Sequence, residues 1–224
     1  MSKGKGLRER KKLATRQAIS DVATRLFIER GFDNVTVAEI AEAANVAKMT
    51  VFNYFPRKED LFFDREDEGR DMIRDALAQR SSDDSPTVAM QNLAHRLMKQ
   101  KHPFAKFTAG TARFRHTVMQ SPALSARVRE LRDEFISDCA KMLADSVGRT
   151  HPDPEAHLFS SLLMATWTTA YTEALRCQRK GRTGSEVQLV FINLIDRGFE
   201  GIGAAMKATP YFIASGSAFS RNAK

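Results

Sequence analysis

Between Thr36 and Pro56 the chain has room for two short helices and nothing longer. Thr36 stands three residues before Glu39, the spacing of a capping box, in which each side chain satisfies a backbone N–H left unpaired at the helix start. Val37, Ile40, Ala41 and Ala44 then fall on one helical face, and Asn45, which tolerates positive φ nearly as well as glycine, follows them. At the far end Pro56 disfavours helical geometry in Phe55, so a second helix must start near Ala47 and end there. Two short helices joined by a turn of three or four residues, with small alanines at the crossing, describe a helix-turn-helix with limits 36–55. The second helix of such a motif is the one that enters a major groove. Val51 and Phe55, four residues apart, form its inward pair. Lys48, Met49, Thr50, Phe52, Asn53 and Tyr54 are left outside, and aromatic residues stranded there imply that something docks on them.

The rest of the chain is also helical in pattern. Ile19, Val22, Ala23, Leu26 and Phe27 recur at helical spacing and make one apolar stripe over 16–30, with Gly31 placed to end that helix and Phe32 to fold back on it. A longer helix is expected from Lys58 to about Arg80, with Leu61, Phe62, Met72, Ile73 and Leu77 as its apolar positions. Beyond the Ser81–Pro86 loop, helices are expected over Thr87–Gln100, Ala105–Met119, Ala123–Val147, Glu155–Lys180 and Ser185–Lys207. Strand patterns, internal repeats and glycine-rich nucleotide loops are absent. The expected fold class is therefore all-α: an N-terminal three-helix helix-turn-helix domain and a C-terminal helical domain. The limits are a flexible basic arm over 1–11, the helix-turn-helix domain over 12–72, the C-terminal helical domain over 73–209, and a disordered tail over 210–224.

Charge separates the two parts. Residues 1–58 hold twelve Lys/Arg against six Asp/Glu, and so carry six of the eight net positive charges. Such asymmetry points to a polyanion partner for the N-terminal face, most simply nucleic acid. The basic start lacks the apolar stretch of a signal peptide, and the longest apolar run, Leu189–Ile195, is far short of the ~20 residues that span a bilayer. Cys139 and Cys177 form no CxxC pair and fit a reduced compartment, so a cytoplasmic protein without membrane contact is expected. The five histidines show no metal-ligand spacing and no nucleophile motif frames the serines, so neither metal, cofactor nor enzymatic activity is expected.

These residues resemble the N-terminal pattern of the TetR family of bacterial transcriptional regulators. The matching positions are Ala23, Leu26, Phe27, Gly31 and Phe32, then Thr36, Val37, Ile40, Ala41, Ala44 and Val46, then Thr50, Phe52, Phe55, Lys58 and Leu61. The resemblance covers about residues 12–62 and implies a homodimer that binds a palindromic operator on double-stranded DNA through the 12–72 domain and is released by a small molecule, the C-terminal helical domain over 73–209 serving ligand (effector) binding and dimerisation. Carried over by position, it implies that Thr50, Tyr54 and Lys58 touch phosphates and that Thr36 and Val37 lean on the backbone. Lys48, Met49 and Asn53 would then face base edges. Three positions depart from the pattern. Ala47 replaces the usual Ser/Thr helix cap, at a cost of about 1 kcal/mol; Asn45 replaces the turn glycine; and Phe52, where a tyrosine is common, lacks a hydroxyl for phosphate.

Residue chemistry agrees with that reading of the outer face, since Asn bonds adenine bidentately and Lys donates to guanine. Lys11, Lys12 and Arg16 are candidates for an arm or first turn that follows the DNA backbone, a solvated tail being the alternative. Among the middle helices Met98, Phe107, Phe114, Met164, Trp167 and Tyr171 have the flexibility and bulk to line an apolar effector pocket, or are plain core. The last helix is apolar on more than one face. One side serves the core, and Phe191, Leu194, Ile195 and Gly198 are candidates for a dimer interface. The competing function class is a sequence-nonspecific architectural DNA-binding protein, which would need little of the large apolar C-terminal half.

Overall fold

The computed structural model describes residues 6–213. Among these every regular element is helical: α1 (Leu7–Arg30), α2 (Val37–Ala43), α3 (Lys48–Tyr54), α4 (Glu66–Ala78), α5 (Pro86–Lys99), α6 (Ala109–Gln120), α7 (Pro122–Ser146), α8 (Pro154–Arg179) and α9 (Gly184–Ala205). The chain divides into two compact units, one made of residues up to 67 with 113–129, the other of 68–112 with the chain from 130 onward.

In the first unit, Ile19, Ala23 and Phe27 of α1 are fully buried, as their spacing requires. Gly31 ends the helix at φ 82°, its N–H reaching the Phe27 carbonyl, and Phe32 returns to place its ring 4.8 Å from that of Phe27. The capping box of α2 is complete: the Glu39 N–H donates to the Thr36 hydroxyl and the Thr36 N–H to the Glu39 carboxylate. Asn45 makes the turn at φ 52°, and α3 follows with Val51 and Phe55 in the core.

The single helix expected from Lys58 to Arg80 is interrupted. A short 3-10 turn, Glu59–Leu61, comes first, and α4 begins only at Glu66. The reason is tertiary. Carbonyls that a continuous helix would have used are taken by α1: Ser20 donates to Leu61 O at 3.3 Å and Arg16 to Asp64 O at 2.8 Å. Leu61 and Phe62 thereby enter the core, where Phe62 stacks on Phe114 at 4.2 Å with an interplanar angle of 5°. Segment 113–129 thus belongs to this unit, which a contiguous 12–72 domain does not include. It is tied further by Leu124, fully buried, and by Arg127, whose Nε donates to Asp60 at 2.9 Å.

The terminal expectations also change where residues are described. Leu7–Lys11 are helical rather than a flexible arm, and residues 1–5 lie outside the described part. Tyr211, expected in a disordered tail, is fully buried; residues 214–224 lie outside the described part.

The second unit is a helical bundle around Leu93, Leu97, Leu143, Phe159, Leu163, Phe191 and Ile195. α8 starts on an Asp153 cap and α9 on a second capping box, Thr183 with Glu186. α8 and α9 approach so closely that a Cβ at Gly198 would lie 2.1 Å from Thr166 Cγ2. Tyr211 closes the bundle: its hydroxyl donates to Asp153 and its carbonyl accepts from the Thr87 hydroxyl at 2.8 Å.

Candidate nucleic-acid interface

The outer face of α3 is built from beneath. Val51 and Phe55 anchor it in the core at 1% exposure each, which turns the intervening side chains outward. Lys48 and Asn53 are exposed, Met49 is 69% and Phe52 40% exposed, and Thr50 and Tyr54 are half-buried at its edges. Ala47 at the N-cap makes no side-chain bond, as its methyl dictates. The Lys48 ammonium lies 5.9 Å from the Phe52 ring centroid, one helical turn on, so the two side chains cover each other. That pairing is legible in their i, i+4 spacing.

At the start of α2 Thr36 is exposed and Val37 half-buried, beside the turn that leads into α3. The Thr36 hydroxyl donates to Glu39 at 2.8 Å, and Arg30 pairs with the same carboxylate at 2.6 Å. The bond from the Thr36 backbone, then the Arg30 contact, hold the Glu39 carboxyl down at about 2. This end of α2 is therefore a fixed, ionised frame.

Two candidate cations turn inward instead. Lys58 Nζ donates to Phe32 O at 2.6 Å and lies 4.2 Å from the Phe32 ring centroid; burial lowers its pKa against the pull of Asp33, Glu59 and Glu39. It sits before the Glu59–Leu61 turn, not at the start of α4. Arg16 stacks 4.8 Å over the Phe55 ring while holding Asp64 O, so its guanidinium serves the packing of α1 on the end of α3. Lys11 and Lys12 remain exposed on α1.

The candidate pocket residues separate. Met98, Phe107, Trp167 and Tyr171 pack against the core of the second unit, Phe107 lying 5.3 Å from Tyr171 and Trp167 5.3 Å from Phe191 between ring centroids. Met164 is half-buried, its sulfur accepting from Thr168. Phe114 is not among them: it is committed to Phe62 in the first unit. The candidate dimer residues are likewise committed within the chain. Phe191 and Ile195 are fully buried, Leu194 packs on the same core, and Gly198 serves the crossing with Thr166. Within the chain α9 packs against α8 and α5. Its outward apolar residue is Leu189, 58% exposed, at a surface groove between α5 and α9 that Met98, Lys99 and Ile192 also line. Among the described residues no group of His, Cys, Asp or Glu is placed to hold a metal, and no helix is long and apolar enough to cross a membrane.

Residues 19–64 match the family described as bacterial regulatory proteins, tetR family. The chain is 34% identical over 87 residues to the HTH-type transcriptional regulator TcmR of Streptomyces glaucescens, a match covering 39% of this chain and 38% of that protein. It is 45% identical over 49 residues to the HTH-type transcriptional regulator LuxR of Vibrio harveyi, covering 22% and 24%. These matches span well under half of either relative. The crystal structure of NalD, the secondary repressor of the MexAB-OprM multidrug efflux pump in Pseudomonas aeruginosa, shares the fold at a TM-score of 0.54 and 22% identity over 84% of this chain and 96% of that one.

Proposed function

We propose, from the match of residues 19–64 to the tetR family of bacterial regulatory proteins, that this chain is a sequence-specific DNA-binding transcriptional regulator. It acts as a homodimeric repressor of a palindromic operator and is released by an apolar small molecule. The observation that carries the proposal is the outer face of α3, where Lys48, Met49, Phe52 and Asn53 project from a helix anchored by Val51 and Phe55. Asn53 and Lys48 supply base-edge hydrogen bonding, and Met49 and Phe52 supply apolar contact of the kind a thymine methyl accepts. Thr50 and Tyr54 flank this face as phosphate donors and set its register, and Thr36 and Val37 lean on the backbone beside them. Lys58, already bonded to Phe32 O, is assigned mainly to holding the turn after α3, with its remaining N–H groups directed to phosphate. The effector reading rests on the Met98, Phe107, Trp167 and Tyr171 cluster, whose flexible and aromatic side chains can repack around an apolar guest.

The test is selection of duplexes from a random-sequence pool by the full chain. Recovery of one preferred sequence, bound at least about a thousandfold more tightly than the unselected pool, is expected of a specific regulator. A pool that leaves selection unchanged in composition would instead assign the chain to sequence-blind coating of DNA.

A further inference from the structure

The inward face of α8 carries one polar group that the packing does not use. Trp167, Tyr171, Ala174 and Gln178 are spaced by four, three and four residues, so they share one face of the helix, and Ala174 on it is fully buried. Trp167 and Tyr171 bring that face into the ring cluster with Phe107 and Phe191. Gln178 is half-buried at the end of the stripe, and its Oε1 is buried without a hydrogen-bond partner among the described residues. Ser160, near the start of the same stripe, shows the ordinary arrangement: it is buried, and its hydroxyl donates to Ala156 O at 2.9 Å. A buried acceptor left unpaired costs stability that Leu or Met at the same place would not, so the packing gives no reason for an amide here.

The neighbours of the group indicate what it accepts from. Long side chains on a helix lean toward its N-terminus, which carries the Gln178 carboxamide back over Ala174, whose methyl leaves room for it. About one turn further back is Tyr171, its ring centroid 5.3 Å from that of Phe107. The acceptor thus stands at the edge of a cluster that is otherwise aromatic and apolar. An amide oxygen in such surroundings favours a neutral donor, opposes a carboxylate, and would be left unpaired by a hydrocarbon. We propose that Gln178 is the polar end of the effector site, and that the molecule bound there presents a neutral hydroxyl to its Oε1. The effector is then an apolar alcohol or phenol, not a hydrocarbon or a carboxylate. This rests on the effector reading above and narrows it to one chemical class.

The experiment measures, by calorimetry, binding of para-butylphenol and para-butyltoluene, in which a methyl group takes the place of the hydroxyl, to the full chain and to Gln178→Leu. The ratio of the two affinities is compared between the proteins, so the different hydration of the free compounds cancels. Gln178→Leu should lower the relative preference for the phenol about tenfold. Gln178→Met, closer to glutamine in shape, should give the same change. Neither variant should melt below wild type, because Oε1 has no partner to lose. An unchanged ratio in both variants, with both compounds still binding, would overturn the role of Gln178 and leave the effector reading standing. A lowered melting midpoint in both variants would show that the amide holds the fold together, and would likewise overturn it. A wild type that binds neither compound would overturn the effector reading, and this assignment with it.

Discussion

Glu39 shows how one side chain can hold the start of α2. Its carboxylate accepts the Thr36 backbone N–H at 2.7 Å and the Thr36 hydroxyl at 2.8 Å, and pairs with Arg30 at 2.6 Å. All three favour the ionised form, and the group's folded pKa is about 2 against an ordinary 4.5. A depressed carboxyl pKa gives stability that is fully present above the unfolded value and is lost as pH falls through the folded one. Wild type should therefore lose stability between pH about 4.5 and about 2 more steeply than Glu39→Gln, as measured by urea unfolding across that range. Parallel curves would mean that the capping box does not persist in solution. On the outer face of α3, Asn53→Ala should cost on the order of 1–3 kcal/mol of discrimination at one defined base, read by competition with single-base variants of the selected duplex, because a bidentate amide is lost. Unchanged discrimination would place base reading elsewhere. Lys58 gives the opposite lesson. Its place in the family pattern reads as a phosphate contact, yet in the fold its ammonium caps Phe32 O and covers two rings, a role no sequence spacing announces.

At the scale of elements, what was legible in the sequence follows the range of the interactions that form each helix. α2, its capping box, the Asn45 turn and α3 depend on neighbours within four or five residues, and they lie where periodicity places them. The start of α4 and the allegiance of α6 depend on partners some fifty residues distant, such as Phe62 with Phe114, and no local pattern encodes that choice. Two adjacent phenylalanines at 62 and 63, with no helical partner nearby, were the available signal. The α8–α9 crossing is similar: Gly198, a candidate for the dimer interface by its place in the sequence, lets Thr166 of the same chain in. A methyl forced into that contact has no flexible tip to displace. Gly198→Ala should lower stability by about 1–3 kcal/mol, and pairing it with Thr166→Ser, which removes the nearer methyl, should recover part of that loss. An unaffected melting midpoint for Gly198→Ala would show that the helices have room to separate.

For the whole molecule, regulation requires that an effector bind the DNA-free form more tightly than the DNA-bound form, and the coupling is reciprocal, typically 1–3 kcal/mol. Trp167 is the only tryptophan and packs edge-on to Phe191 within the ring cluster proposed to take the effector. Apolar compounds that change its fluorescence should also weaken binding to the selected duplex by about 5- to 150-fold. Compounds that move the emission and leave DNA affinity intact would uncouple the cluster from regulation. The dimer proposed here presents one α3 from each chain, so the DNA it prefers must carry the same twofold symmetry. Methylation-interference mapping on the selected duplex, with the number of bound chains counted in the same sample, tests this most directly. The account predicts two chains on two inverted major-groove windows on one face of the duplex, with centres about one helical turn, 34–36 Å, or a multiple of it apart. A single window, or interference spread evenly along the duplex, would contradict it.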